Sequence, residues 1–391
     1  MKKLKIGVVG LGQRGHDMIP LLCSMDNYEI VSVCDIYKDR VDAAIDQVEK
    51  ATGKAPAGFT EWQKLIDGKP EAVIIITGWE EHLKIAFAAM KAGIPVGCEV
   101  GGAYSVQECY DLIRVQKETG VPFCFLENCC YGRYEMLVMN MVKQGLFGEI
   151  VSCEGGYRHD LRTEVLYGRE KRHYRLNNYL ERNCENYPTH DLGPIAQVLD
   201  INRSNAFARL TSFASKSAGL HDYAVLHENV QKDLSEAKFA QGDIIKTVIE
   251  CKNGELVTLT LDTTLPRPYS RNFTVQGTRG MYCEDGNYIY LDRDHDETMH
   301  FDWALKRWHN ADSYFEQYEH PVWKKFLSDG VRGGHGGMDY LVYNEFAECI
   351  LNGTEFPITV VDAACWMAVT PLSAISIKER RTVDFPDFRQ L

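Results

Sequence analysis

Paired cysteines and an excess of positive charge are both missing from this chain. Thirteen Cys occur in 391 residues, but the number is odd, the spacing irregular and no CxxC pair is present. Neither a disulfide framework nor a paired-cysteine zinc module is therefore expected. The adjacent Cys129 and Cys130 admit two readings, buried free thiols or a metal- or redox-active pair, and no metal is expected. Lys and Arg number 43 against 55 Asp and Glu, a formal charge of −12. Such a field repels phosphate backbones and anionic lipid, which argues against nucleic-acid and membrane partners. The N-terminal MKKLKIGVVG carries lysines, but glycine breaks its apolar run and it continues into a fold motif where a cleavage site would stand. No export signal and no membrane span are read, and the expected location is cytoplasmic. Internal repeats and low-complexity linkers are absent too. What remains is a 45% apolar chain, long enough for two domains and suited to a small-molecule partner.

The stretch LKIGVVGLGQRGHDMIPLL passes from a β-branched run through Gly10, Gly12 and Gly15 into an amphipathic pattern. This predicts a strand, a glycine turn and a helix. Gly10 permits the turn, Gly12 lets a pyrophosphate approach the backbone and Gly15 lets the helix pack on the strand, with Leu11, Gln13 and Arg14 lying in the same turn. A second strand, EIVSVCD, ends in Asp35, at the spacing of a carboxylate that binds adenosine ribose hydroxyls. A carboxylate there repels a 2′-phosphate, so NAD is expected over NADP; Arg40, a helical turn on, either softens that preference or is a solvated helix residue.

Strand and helix patterns continue to alternate as far as VPFCFLEN, which predicts an α/β fold with a doubly wound parallel sheet over residues 1–127. Ligands of such sheets lie beyond the carboxyl ends of the strands, which places Thr77, Gly78, Trp79, His82, Glu99 and Asn128 on the cofactor side. His82 reads as structural, as a cofactor contact or as catalytic. Residues 128–391 are expected to form a substrate-binding α+β domain with an open, mostly antiparallel sheet, turning at KNGE and EDGN and closed by helices in GGMDYLVYNEFAECILNG and VVDAACWMAVTPLSAISIKE. A broad open face needs covering, so a homo-oligomer is expected. Within YPTHDLGPIAQVL, Tyr187, His190 and Asp191 stand at the start of a helix. Two readings compete: a cap in which Thr189 or Asp191 satisfies first-turn amides, or a catalytic pair in which His190 takes a hydroxyl proton with Tyr187 beside it.

GVVGLGQRG and TGWEEHLKIAFAAMKAGIPVGCEV resemble the glucose-fructose oxidoreductase and inositol dehydrogenase (Gfo/Idh/MocA) family of nicotinamide-dependent sugar enzymes. One departure is plain: where ordinary dehydrogenases of that family have Glu-Lys-Pro, this chain has Glu99-Val100-Gly101. The later motifs ENCCYGRYEM, KRHYRLNNYLERNCENYPTHDLGPI, RPYSRNFTVQGTRG and GGHGGMDYLV are similar to glycoside hydrolase family 109, NAD-dependent α-N-acetylgalactosaminidases built on that fold. The resemblance implies a small-molecule glycoside substrate and hydrolysis without net redox change. The sugar is oxidised at C3, with Tyr187 and His190 accepting the hydroxyl proton; the aglycone is eliminated across C1–C2, water adds, and the ketone is reduced again. Such chemistry needs no flanking pair of carboxylates.

The resemblance also implies that Tyr131 acts at C2 or on the leaving oxygen, and that Arg175, Tyr269 and His335 touch the sugar. Read from residues alone, Tyr131 is an aromatic packed under the sheet, Tyr269 a rim tyrosine, Arg175 a surface ion pair, and His335 part of a helix-entry turn with Asp339. His159, Arg162 and His173 carry no signal that separates them from solvated residues. A plain sugar dehydrogenase and a non-catalytic sugar or nucleotide sensor are the competing functions.

Overall fold

A computed structural model describes residues 2–295 and 308–390; of the two expected domains, residues 1, 296–307 and 391 lie outside the described residues. The first half alternates β1 (Leu4–Val9), α1 (Gln13–Ser24), β2 (Tyr28–Cys34), α2 (Lys38–Thr52), β3 (Ala57–Phe59), α3 (Trp62–Asp67), β4 (Ala72–Ile75), α4 (Trp79–Lys91), β5 (Val96–Cys98), α5 (Val106–Thr119) and β6 (Phe123–Phe125). The strands pair in the order β3-β2-β1-β4-β5-β6, all parallel. This is the expected doubly wound sheet. Its order reverses between β1 and β4, where a crevice opens beyond the strand ends. The short β3 and α3 carried too few apolar residues to be read from periodicity.

The second half begins with a 3₁₀ turn at Asn128–Tyr131 and continues through α6 (Arg133–Lys143), β7 (Ile150–Gly155), α7 (Arg162–Leu166), α8 (Arg175–Glu181), α9 (Thr189–Val198), β8 (Phe207–Ala214), α10 (Gly219–Leu226) and α11 (Lys232–Glu236). Then come β9 (Ile244–Cys251), β10 (Leu256–Asp262), β11 (Thr274–Gly277), β12 (Gly280–Cys283), β13 (Tyr288–Leu291) and β14 (His309–Asn310). Last are α12 (Phe315–Tyr318), α13 (Pro321–Asp329), α14 (Met338–Asn352), α15 (Val360–Glu379) and β15 (Val383–Asp384). The strands form a sheet of order β14-β13-β12-β11-β7-β10-β9-β8-β15, antiparallel except for the β7–β10 pair.

One face of this sheet packs on helices. Ile245, Ile249, Val257, Leu259 and Leu261 point inward and are buried, while Lys246, Val248, Glu250, Leu256 and Phe213 face out. The alternation is the period-two pattern of a sheet with one covered side. By length and composition α15 could cross a membrane, but it packs between α5 and β8 and 72% of its apolar window is buried in the protein. It is a core helix, started by a capping box in which Thr359 and Asp362 exchange side-chain and backbone hydrogen bonds. All thirteen cysteines are free thiols.

Candidate active site

A cleft of about 1530 Å³ runs from the glycine turn after β1 to the start of α9. At the nucleotide end Gly10 has φ +97°, and a Cβ there would lie 2.4 Å from the Ile76 carbonyl carbon. A Cβ on Gly15 would come within 2.0 Å of the Gly10 carbonyl oxygen. Both positions admit only glycine. Around Gly12 the nearest atom to a would-be Cβ is 3.6 Å away, on Arg40, so the backbone stands open to a ligand. Gly10, Gly12, Gln13, Arg14, Asp35, Thr77, Trp79, His82, Glu99 and Asn128 all line the cleft. Leu11 and Gly15 do not; Leu11 supplies its N–H to Asp35 Oδ2 at 2.8 Å.

The Asp35 carboxylate also accepts the Tyr37 N–H at 2.9 Å and lies 3.6 Å from Arg40. It is thereby fixed at the end of β2, beside an open glycine turn at the N-terminus of α1. These donors, that acceptor and the exposed backbone fit a dinucleotide. Glu99 is held in an ion network: its Oε1 lies 2.9 Å from Arg14 and 2.8 Å from the Tyr343 hydroxyl. Arg14 reaches across to Asp339 at the head of α14 at 2.8 Å, and Asp339 also accepts from Asn128 at 2.8 Å. Burial alone would push the Asp339 carboxyl up, but bonds from His335 and Arg14 hold it well below the usual range.

His335, whose resemblance-based place was beside the sugar, bonds Asp339 at 2.7 Å and stands 3.5 Å from Arg14 of the glycine turn. The helix-entry reading with Asp339 describes this geometry. His82 is buried, bonds the Thr77 carbonyl at 3.0 Å and is pushed down to about 4 by burial. It is a neutral fastener of the β4–α4 turn.

At the other end of the cleft, His190 Nδ1 lies 2.6 Å from Glu127 Oε1 and its Nε2 lies 3.2 Å from the Tyr187 hydroxyl. Burial pushes the Glu127 carboxyl up, but the charge and hydrogen bond of His190 overcome it, so its pKa lies below the ordinary value. Glu127 is thus a carboxylate that fixes the Nδ1 proton and leaves Nε2 facing the phenol. The helix start is not a side-chain cap: Pro188 is the capping residue and makes no side-chain cap bond. Asp191 is buried with Oδ1 unpartnered among the described residues, and burial with Glu185 nearby raises its carboxyl well above the usual range.

Aromatic rings surround the pair. Tyr187 stacks on Trp79 with centroids 5.4 Å apart and tilts against Tyr157 at 4.5 Å. The Arg175 guanidinium lies 5.0 Å from the Trp79 ring and 5.2 Å from that of Tyr187, paired with Glu164 at 2.6 Å. Arg175 is buried, so the surface ion-pair reading does not describe it. Tyr269 is 53% exposed and meets Tyr157 and His159 edge to face at the rim.

Tyr131 is placed elsewhere. It does not line the cleft; its side chain is packed in the core, and its hydroxyl has no partner among the described residues. Burial raises its pKa well above the ordinary value. The turn that carries Asn128 into the cleft carries Tyr131 behind it, fastened by the Trp323 indole N–H donating to the Tyr131 carbonyl at 2.9 Å.

Glu127, Tyr157 and Glu164 escaped the sequence reading. Glu127 stands two residues beyond β6, past the carboxyl end of the last strand of the parallel sheet; Tyr157 and Glu164 lie in no motif. Glu127, Cys129 and His190 also bring a carboxylate, a thiol and an imidazole within 4.8 Å of one another. Two of those three groups are already bonded to each other, which is the geometry of an oriented imidazole. His159 and His173 line the cleft, both with pKa lowered by burial, whereas Arg162 pairs with Asp160 at 2.7 Å.

Comparison with known proteins matches both halves of the chain. Residues 4–126 match the oxidoreductase family with an NAD-binding Rossmann fold, and residues 131–390 match the glycosyl hydrolase 109 C-terminal domain. A glycosyl hydrolase family 109 protein of Stenotrophomonas maltophilia (strain K279a) is 37% identical, over 99% of this chain and 89% of its own. An α-N-acetylgalactosaminidase of Tannerella forsythia is 38% identical over 98% of this chain and 86% of its own. Among solved structures, levoglucosan dehydrogenase in complex with NADH and levoglucosan superposes with a TM-score of 0.72 at 17% identity, covering 99% and 100% of the two chains. Myo-inositol 2-dehydrogenase from Lactobacillus plantarum gives 0.69 at 15%, covering 98% and 100%. At those identities the structural likeness is one of fold. An NAD-binding glycine turn joined to an oriented histidine, with both halves matched in order along the chain, identifies this protein as a member of glycoside hydrolase family 109, an NAD-dependent glycoside hydrolase.

Proposed function

We propose that the chain hydrolyses α-N-acetylgalactosaminides, or a closely related glycoside, by a route with no net redox change. The observation that carries this reading is His190, held between a solvent-free carboxylate and Tyr187 in the cleft that contains the glycine turn. Val100 lines the same cleft where a dehydrogenase would place lysine, and an apolar side chain cannot pass a proton. When bound, NAD accepts the hydride from the sugar C3 and returns it at the end.

His190 Nε2 receives the C3 hydroxyl proton, directly or through Tyr187, while Glu127 stabilises the imidazolium. The ketone so formed acidifies the hydrogen on C2. Acting as its phenolate, Tyr157, whose ring lies 5.9 Å from the Arg175 guanidinium in the cleft, takes that proton in the role first expected of Tyr131. Burial raises the hydroxyl's pKa, and the Arg175 charge opposes that rise and favours the ionised form. The C2–H electrons form a C1–C2 double bond as the C1–O bond breaks, and the proton taken from C2 passes to the leaving oxygen. Water then adds across that double bond, hydroxyl to C1 and proton to C2, and the ketone regains hydride at C3 and, from His190, a proton at its oxygen. The test is turnover in D₂O: the released sugar should carry deuterium at C2, and a product with protium only at C2 would overturn the elimination route.

We also infer that the chain associates through the outer face of its nine-stranded sheet, where Phe213, Val248 and Leu256 are exposed. Phe213→Asp with Val248→Lys should convert the assembly to monomer in sedimentation; an unchanged sedimentation coefficient would rule that face out.

A further inference from the structure

The loop between α7 and α8 crosses from the second half of the chain to the first. Residues 168–175 line the cleft along its length, and their far end is fastened to the start of α2. Arg172 makes a two-pronged ion pair with Asp39 at 2.9 and 2.7 Å. Its guanidinium also lies 4.3 Å from the Tyr37 ring centroid, and that of Arg40 lies 4.9 Å from the same ring. Arg40 donates to the carbonyls of Lys171 and Arg172 at 3.0 and 3.2 Å. Arg172 itself has φ +51°, a left-handed conformation that a residue with a Cβ keeps only when its surroundings hold it.

This fastening surrounds the nucleotide carboxylate. Tyr37 donates its N–H to Asp35, and Arg40 lies 3.6 Å from that carboxylate. At the near end of the loop Tyr174 packs edge to face on Trp79, centroids 4.8 Å apart, and Arg175 is buried against Glu164. The loop therefore spans from the adenosine position to the reacting end.

We propose that residues 168–175 are a strap that retains NAD from one turnover to the next, with the Arg172–Asp39 pair as its clasp. The inference rests on the reading of a cofactor that ends each cycle unchanged: a dehydrogenase must exchange its nicotinamide every turnover, whereas this enzyme gains by keeping it. The clasp can be tested apart from the cofactor contacts because Asp39 does not line the cleft. Its pKa, lowered to about 2 by the hydrogen bonds from Arg172, agrees with a formed pair.

The experiment loads the full-length protein with NADH, chases with excess NAD and follows the loss of bound NADH fluorescence. Asp39→Lys and Arg172→Glu should each speed release about tenfold, and the double charge swap should return it to within about twofold of the parent. Release at the parent rate in both single variants, or a double variant as fast as the singles, overturns the clasp. A parent protein that takes up no NADH overturns the cofactor reading beneath it, a different failure.

Discussion

The Nδ1 atom of His190 lies 2.6 Å from Oε1 of Glu127, whose side chain is wholly withdrawn from solvent. A carboxylate in that position sets the imidazole tautomer and stabilises the proton taken from substrate. Glu127→Gln keeps the shape and removes the charge. Turnover should fall by about 10²–10³-fold, as expected when a general base loses the group that orients it, while NADH binding followed by fluorescence stays within twofold. Turnover within a few fold of the parent would remove Glu127 from the mechanism.

Tyr187 and Tyr131 should behave oppositely. Tyr187→Phe deletes the hydroxyl 3.2 Å from His190 Nε2, and turnover should drop by about a hundredfold, the low end of the range for a lost proton-transfer partner. Tyr131→Phe deletes a hydroxyl with no partner among the described residues, outside the cleft. Its turnover and thermal midpoint should match the parent, and a hundredfold loss in that variant would return Tyr131 to the site.

Glu185 gives a pH dependence whose sign is fixed. Burial pushes its carboxyl up to about 8, against backbone amides of Tyr187 and Leu261 that lower it. In the unfolded chain it titrates near about 4.3. The folded protein holds a proton that the unfolded chain has released, so the stabilisation is full below the unfolded value and is lost as pH rises from there to about 8. The steepest slope is about 1.4 kcal/mol per pH unit. Glu185→Gln should therefore flatten the fall in urea midpoint between pH 5 and 8. Parallel curves for the two proteins would show that Glu185 does not titrate in this window.

Gly15→Ala tests the turn. The added methyl meets the Gly10 carbonyl at 2.0 Å, a contact that forces α1 off β1. A loss of about 1–3 kcal/mol, the usual range for overpacking, should appear in urea unfolding together with weaker NADH binding. A variant with parent stability and affinity would contradict the close packing of α1 on β1.

Much of this was legible beforehand. The glycine turn, Asp35 and the alternating runs up to Phe125 are governed by local rules of turn geometry and periodicity, and the parallel sheet followed from them. His190 lies three residues after Tyr187, at the start of α9, so their pairing was also within reach. Glu127 was not, because its bond to His190 joins residues far apart in sequence. Tyr131 lies outside the cleft, and His335 lines the cleft while bonded to Asp339, as one of its two readings had it; which way a short turn points its side chains depends on packing partners such as Trp323 and Asp339. The strap over the cleft has no periodicity at all.

The most direct test follows nitrophenol release from an aryl α-N-acetylgalactosaminide while absorbance of NADH is recorded in the same cuvette. The account predicts many equivalents of nitrophenol per protein with no net accumulation of NADH. NADH accumulating in step with substrate consumed, with nitrophenol absent, would contradict it and leave a dehydrogenase in its place.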